Sequence, residues 1–151
     1  MNMASPDIKT LLQAIGLTQD QAVEFFNLNG AGPDLMRLSL TQLDAQIQTC
    51  IISEIDAFTL RAERDVVLIR FLTDDDFALY EPELFEQFKL SVIHRAFIAR
   101  TQRAIERIGG EVTIAFMDST YYETWLSVND FDDSRDLRIT WARQQIRGLS
   151  N

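Results

Sequence analysis

The stretch VVLIRF, residues 66–71, decides the fold class. It is short and rich in β-branched residues, which is typical of a strand that is covered on both faces. The aspartate-rich segment 73–76 ends it, and a second strand is predicted over residues 111–117. Because a long helical pattern separates the two strands, the sequence predicts a βαβ unit with parallel strands and a right-handed crossover.

The flanking segments read as helices. Apolar residues recur at helical spacing over residues 82–108, and we expect one long helix that Gly109 and Gly110 stop. After the second strand, residues 118–120 offer caps for a further helix, with Thr120 and Glu123 as a capping box. A last helix, which carries Trp141, is predicted over residues 137–146.

The residues before the first strand read as entirely helical. Ser5 caps a first helix that Gly16 ends, and Thr18 begins a second with Gln21 as its capping-box partner. A turn over residues 29–32 follows. We then expect a short helix from Pro33 to Leu38 and a separate long helix from Thr41 to about Arg61.

The expected fold is therefore α+β and mostly helical. A helical, helix-turn-helix-like lobe, residues 1–62, is followed by a small α/β lobe, residues 63–151, that packs against it. The βαβ unit and the C-terminal helices belong to the second lobe. A length of 151 residues and a hydrophobic content of 46% fit one folded unit that needs no disulfide bond or structural metal ion for stability.

Charge and cysteine content restrict the function. The formal net charge is -9, which opposes non-specific attraction to phosphates or anionic lipid. Cys50 is the only cysteine and lacks basic neighbours, so we expect no intramolecular disulfide, no thiolate zinc site and a core position. No signal peptide or bilayer-spanning run is visible, and we expect a cytoplasmic protein that does not associate with membranes.

The segment AIGLTQDQAVEFF, residues 14–26, resembles the opening of a lambda-repressor (Cro/C1-type) helix-turn-helix domain. The longer stretch to Leu38 and the α/β tail resemble a little-characterised family of small bacterial and prophage proteins. The resemblance implies DNA binding, with Thr18 and Gln19 meeting phosphate and the third helix entering the major groove. We assign Asn29, in the lengthened turn, to the same set, and Arg37 as the guanine reader.

Two function classes follow. The first is a non-enzymatic bacterial or phage transcription regulator with a degenerate helix-turn-helix that binds duplex DNA as a homodimer. The apolar face of residues 43–58 is the predicted dimer surface. The alternative is an acidic protein-binding module, such as an inhibitor or immunity protein, that holds a basic protein partner and does not bind DNA.

Three further sets of residues carry side chains that could contact a ligand or a metal ion. A cationic arc on the long helix could grip phosphate or an acidic partner, or could pair with the protein's own carboxylates; its members are Arg95, Arg100, Arg103 and Arg107. Asp74, Asp76 and Asp118 follow the strands, where they could hold a metal ion or merely cap helices. We predict no metal or cofactor, and His94, the only histidine, is expected to be structural.

Overall fold

The computed structural model describes residues 7–149, except for the side chain of Leu149. Over this range the chain is a mostly helical α+β protein, as the sequence predicts. Its elements are α1 (Ile8–Ile15), α2 (Gln19–Phe26), α3 (Pro33–Thr59), β1 (Asp65–Arg70), α4 (Asp74–Tyr80), α5 (Pro82–Phe88), α6 (Ser91–Arg107), β2 (Glu111–Phe116), α7 (Ser119–Asn129) and α8 (Arg135–Leu149).

The two strands pair in parallel, as predicted. β1 and β2 pair in parallel, in a register that runs from Asp65 opposite Glu111 to Arg70 opposite Phe116. α6 forms the crossover, and both α6 and α8 contact the two strands. Val66, Val67 and Leu68 of β1 are buried, whereas most of β2 is half-buried or exposed. β1 is thus the covered strand and β2 the open one.

The first two helices begin and end at local signals. Asp7 caps α1 by accepting a hydrogen bond from the Thr10 N–H at 2.7 Å, and the cap predicted at Ser5 lies outside the described residues. Gly16 ends α1 at a φ of +88°, and a Cβ there would lie 2.8 Å from the Val92 carbonyl oxygen. The predicted capping box between Thr18 and Gln21 is present.

α3 corrects the prediction of two separate helices over residues 33–61. It is one continuous helix of 27 residues, with Pro33 in its first turn. No glycine or proline lies between Leu38 and Thr41 to break it. The Thr41 hydroxyl donates to the Arg37 carbonyl oxygen at 2.7 Å, so it bonds back into the helix and does not cap a new one.

The single helix predicted over residues 82–108 is also wrong. Lys89, with a φ of +61°, ends α5, and α6 begins at Ser91. Thr73 does more than end β1, because its hydroxyl accepts from the Asp76 N–H and caps α4, a helix that was not predicted. Asp74 accepts from the Ser91 N–H at 2.6 Å and so stabilises the start of α6.

The C-terminal helices differ from the prediction in their caps and lengths. Asp118 caps α7 by accepting from the Tyr121 N–H at 3.2 Å. The expected capping box is absent, because Glu123 instead accepts from the Tyr80 hydroxyl at 2.6 Å. α8 begins at Arg135 and extends to Leu149, longer than the predicted 137–146.

One apolar core runs through both predicted lobes. α3 contacts α1 and α6, and its residues Leu43, Ile47, Ile51 and Phe58 are buried. The apolar face on which the sequence predicted association is therefore covered largely within the protomer, and the argument for a dimer at that face is lost. Among residues 7–149, no helix combines the length and apolar character that a bilayer span requires.

Candidate protein-interaction surface

The residues predicted to contact DNA lie on three parts of the chain, which are the start of α2, the turn after it and the beginning of α3. Thr18 caps α2, its Oγ1 accepting from the Gln21 N–H at 3.1 Å, and Gln19 is the exposed first residue of that helix. Asn29 is exposed in the turn beyond the other end of α2. An eight-residue helix is about 12 Å long, so α2 separates Thr18 and Gln19 from Asn29.

Arg37 forms one surface ion pair, with Asp34. A guanidinium nitrogen lies 3.6 Å from the Asp34 Oδ1, one turn earlier on α3. The pKa of Asp7 is lowered chiefly because the backbone and side chain of Thr10 hydrogen-bond to it, and the charges of Lys9 and Arg37 add to the effect. Arg37 therefore lies near the start of α1 and, with its side chain 43% exposed, has one exposed carboxylate partner, Asp34.

The beginning of α3 exposes two large apolar side chains. Leu35 is 48% exposed and Leu38 is 53% exposed. Both lie away from the buried stripe of α3 that starts at Met36 and Leu40. The sequence placed Leu35 and Leu38 on one helix face without showing that this face is uncovered. The sequence indicates this face only through the spacing of the two leucines, which places them off the line of buried residues that begins with Met36 and Leu40.

A groove continues from these leucines along α3. Leu35 and Gln42 are seven residues apart, and Leu38 and Gln42 are four apart, so all three share one side of the helix. The groove lies between α2, α3 and α5 and has a volume of about 430 Å³. Its lining residues are Phe25, Phe26, Ser39, Gln42, Leu43, Gln46, Glu86, Gln87 and Lys89.

We call this region the α2–α3 surface; it comprises the groove, Leu35, Leu38 and the acidic residues of α2 and of the first turn of α3. Those acids are Asp20, Glu24 and Asp34, and Arg37 is the only cation between residues 19 and 38. Neither Asp20 nor Glu24 forms an ion pair with a described residue. This region therefore carries more acidic than basic residues, together with the exposed side chains of Leu35 and Leu38.

The predicted cationic arc on α6 divides into two kinds of residue. Arg100 is mostly buried and internal: it pairs with Asp44 at 2.7 Å and donates to the Ala14 carbonyl oxygen and to Gln48. For Arg100, the sequence-based alternative that the arc pairs with the protein's own carboxylates is therefore correct. Arg95, Arg103 and Arg107 are exposed, so only they remain available to a ligand.

Two of the three aspartates after the strands accept hydrogen bonds from the N–H groups of helix starts. Asp74 accepts from the Ser91 N–H, and Asp118 accepts from the Tyr121 N–H. Asp76 lies in the first turn of α4, and its N–H donates to Thr73. Over residues 7–149, no group of three or more histidine, cysteine, aspartate or glutamate side chains is arranged to hold a metal ion.

The interior holds a small polar cavity. It has a volume of about 50 Å³, well below the roughly 150 Å³ that admits benzene. Its charged lining is paired, since Arg135 contacts Glu54 at 2.9 Å and Arg138 contacts Asp133 at 2.7 Å and Glu81 at 3.7 Å. These ion pairs join α8 to α3 and to Glu81, the residue between α4 and α5.

His94 also lines this cavity. It is 3% exposed, and the rings of Phe71, Phe77 and Phe97 surround it at centroid distances of 4.6 to 5.8 Å. Its Nδ1 has no hydrogen-bond partner among the described residues. Burial, with smaller contributions from the charges of Arg70 and Arg135, lowers the pKa of His94 to about 3, so the imidazole is neutral at pH 7.

No protein-family model matches the chain, and a comparison with curated proteins finds no significant match. The resemblance to lambda-repressor domains thus rests on the quoted residues alone and stays a prediction.

Proposed function

We propose that the chain is a binding module that holds a basic segment of another protein on the α2–α3 surface. The observation that carries the proposal is the exposure of Leu35 and Leu38 on a surface whose acidic residues outnumber its two cations, Arg37 and Lys89. Apolar side chains that reach solvent beside unpaired charges are typical of interaction sites, because they offer anchors at the centre and charge complementarity at the rim.

The groove supports the same proposal. The edge-on rings of Phe25 and Phe26, with centroids 4.9 Å apart, offer apolar area, and the amides of Gln42, Gln46 and Gln87 can donate to or accept from a peptide backbone. An amphipathic helix or an extended segment fits such a groove. Lysine or arginine side chains flanking its apolar residues fit the acids of α2.

DNA binding by the same helices stays a prediction, and it is the weaker one. Phosphate neutralisation normally supplies much of the affinity for a duplex, and the α2–α3 surface has a negative net charge.

The single cysteine also fits the proposed cytoplasmic location, since a reducing compartment keeps thiols free.

The test is a paired selection against the wild-type chain, with a random peptide display library in one arm and a random duplex DNA pool at low salt in the other. We expect enriched peptides that combine lysine or arginine with large apolar residues, and no duplex motif. A double substitution, Leu35→Ala with Leu38→Ala, lowers peptide affinity about tenfold. The matched control is Leu79→Ala, an exposed leucine on α4 that leaves peptide affinity unchanged.

Two results would overturn the proposal. One is the absence of any enriched peptide whose binding depends on the two leucines. The other is a selected duplex motif that Arg37→Ala abolishes while Arg103→Ala only weakens affinity, because that pattern separates base reading from phosphate contact and identifies a DNA-binding protein.

A further inference from the structure

The outer edge of β2 is unpaired. Among the described residues, β2 pairs only with β1. The Glu111 N–H donates to the Arg64 carbonyl oxygen and the Met117 N–H to the Arg70 carbonyl oxygen, both at 2.9 Å. Since peptide groups alternate in direction along a parallel ladder, the odd-numbered residues of β2 face β1. The N–H and C=O groups of Val112, Ile114 and Phe116 therefore face outward.

The side chains of the same three residues form an apolar stripe. They lie on one face of the strand, because side chains alternate with a period of two. Val112 and Ile114 are half-buried, and Phe116 is 51% exposed, with the Arg70 guanidinium 5.0 Å from its ring centroid. Among the described residues, unpaired backbone groups and partly or largely exposed apolar side chains thus coincide on the same residues.

β2 also lacks the features that keep strand edges apart. Proteins commonly protect an edge with lysine, proline or a bulge. The strand contains no lysine or proline, its register with β1 is uninterrupted, and Glu111 is its only charged residue. The central residues Val112 to Phe116 are uncharged.

We propose that the β2 strands of two copies pair antiparallel about a two-fold axis at Ile114, which joins the two sheets into one. Such an axis stands perpendicular to the sheet and keeps each side chain on its own face. Directly opposed residues must therefore both be even-numbered or both be odd-numbered. The residues whose N–H and C=O groups face outward are all even-numbered, so they can oppose one another in this arrangement. Ile114 then lies opposite Ile114 of the second copy, and Val112 opposite Phe116, with about six inter-copy hydrogen bonds.

This register is self-complementary. A β-branched residue faces an aromatic one on both sides of the axis, a favourable cross-strand pair. Glu111 faces Met117 of the second copy, so no like charges are directly opposed. The interface is independent of the α2–α3 surface and differs from the α3 face on which the sequence predicted association. A single short strand buries little area, so we expect a dissociation constant of about micromolar order.

Sedimentation over a concentration series tests the assembly. We expect a monomer–dimer equilibrium that salt strengthens, because each copy carries a net charge of -9 and salt screens the repulsion. Ile114→Lys places two charges face to face at the axis and weakens the dimer about tenfold or more. Tyr121→Lys, at a 69% exposed site outside β2, leaves it unchanged, and circular dichroism checks that both variants fold.

Cysteine cross-linking tests the register on chains that keep an uncharged edge. In a Cys50→Ser background, the Cα atoms of Ile114→Cys lie about 5.5 Å apart across the axis, within disulfide reach, whereas those of Thr113→Cys lie about 8 Å apart. We expect oxidation to link the first variant and not the second. A strict monomer, equal cross-linking of both variants, or a dimer that survives Ile114→Lys would overturn the proposal.

Discussion

The two parts of α3 both carry apolar residues at helical spacing, but they differ in how far those residues are covered. In its later part, which contacts α1 and α6, Leu40, Leu43, Ile47, Ile51 and Phe58 are buried although Ile52 is 50% exposed, whereas Leu35 and Leu38 at its beginning both reach solvent. Apolar spacing alone suggested the reverse, with the later residues available for association. The difference arises from distant parts of the chain, because α6, which covers the later part, lies more than thirty residues away in sequence.

The same contrast separates two arginines that the sequence offered as ligand contacts. Arg100 is 16% exposed and is bound by Asp44, Gln48 and the Ala14 carbonyl group. Arg37 is 43% exposed and has only a 3.6 Å contact with Asp34. The first is part of the core's framework, and the second lies at the rim of a surface. Predictions for the two regions therefore differ in kind, the covered region affecting stability and the open one affecting binding.

The largest expected effect is in the covered part of α3. Ile47 is fully buried, and Ile47→Ala should lower the free energy of unfolding by about 3 to 4 kcal/mol through lost burial and a cavity. Leu38→Ala, on the exposed part of the same helix, should change it by only about 0.5 kcal/mol. Urea unfolding of both variants measures the difference, and equal losses would show that the beginning of α3 is covered as well.

Arg100→Ala should have the next largest effect, a loss of about 2 to 3 kcal/mol, because Asp44 is left without its partner in a half-buried site. Arg103→Ala is the matched control, since Arg103 is exposed on the same helix and should change stability by no more than about 0.5 kcal/mol. Thermal or urea unfolding provides the comparison. If the two substitutions cost the same, Arg100 is not part of the internal framework.

His94 makes the covered region sensitive to acid. Its pKa is about 3 when folded and 6.5 when unfolded, so between these values the unfolded chain binds the extra proton and stability falls as pH falls. The slope well below pH 6.5 approaches about 1.4 kcal/mol per pH unit. His94→Phe, which suits the surrounding rings, should remove that contribution. Parallel stability curves for the two proteins down to mildly acidic pH would contradict it.

The fold was predictable where local signals act alone. The capping box at Thr18 and Gln21, the stop at Gly16 and the two strands follow from neighbouring residues and are confirmed. The caps at Thr73 and Asp118 shift element boundaries, because several oxygen-bearing side chains compete for each helix start. Local patterns do not tell which of them reaches the N–H.

The candidate surface was less predictable, because it depends on what remains uncovered after packing. The offset of Leu35 and Leu38 from the buried series of α3 indicates a separate helix face, but only tertiary packing determines that α2 and α5 leave this face exposed. The pairing of Arg100 with Asp44 joins residues more than fifty positions apart, and the pairing of Arg138 with Glu81 is similarly distant. Such partners are set by tertiary packing, which helical periodicity does not encode.

The most direct test of the central claim, that α3 begins as a protein-binding surface, is the effect of Asp34→Ala on two affinities measured side by side. One is for a basic peptide selected from the display library, and the other is for random duplex DNA at low salt. Asp34 contributes negative charge to the rim and also holds Arg37. The two functions therefore predict opposite results for its removal.

We predict that Asp34→Ala weakens peptide binding about two- to fivefold, the size of one exposed charge pair, and confers no duplex binding. Binding to duplex DNA that strengthens on the same substitution, with peptide affinity unchanged, would contradict the account. That result would mean that releasing Arg37 restores a base-reading helix.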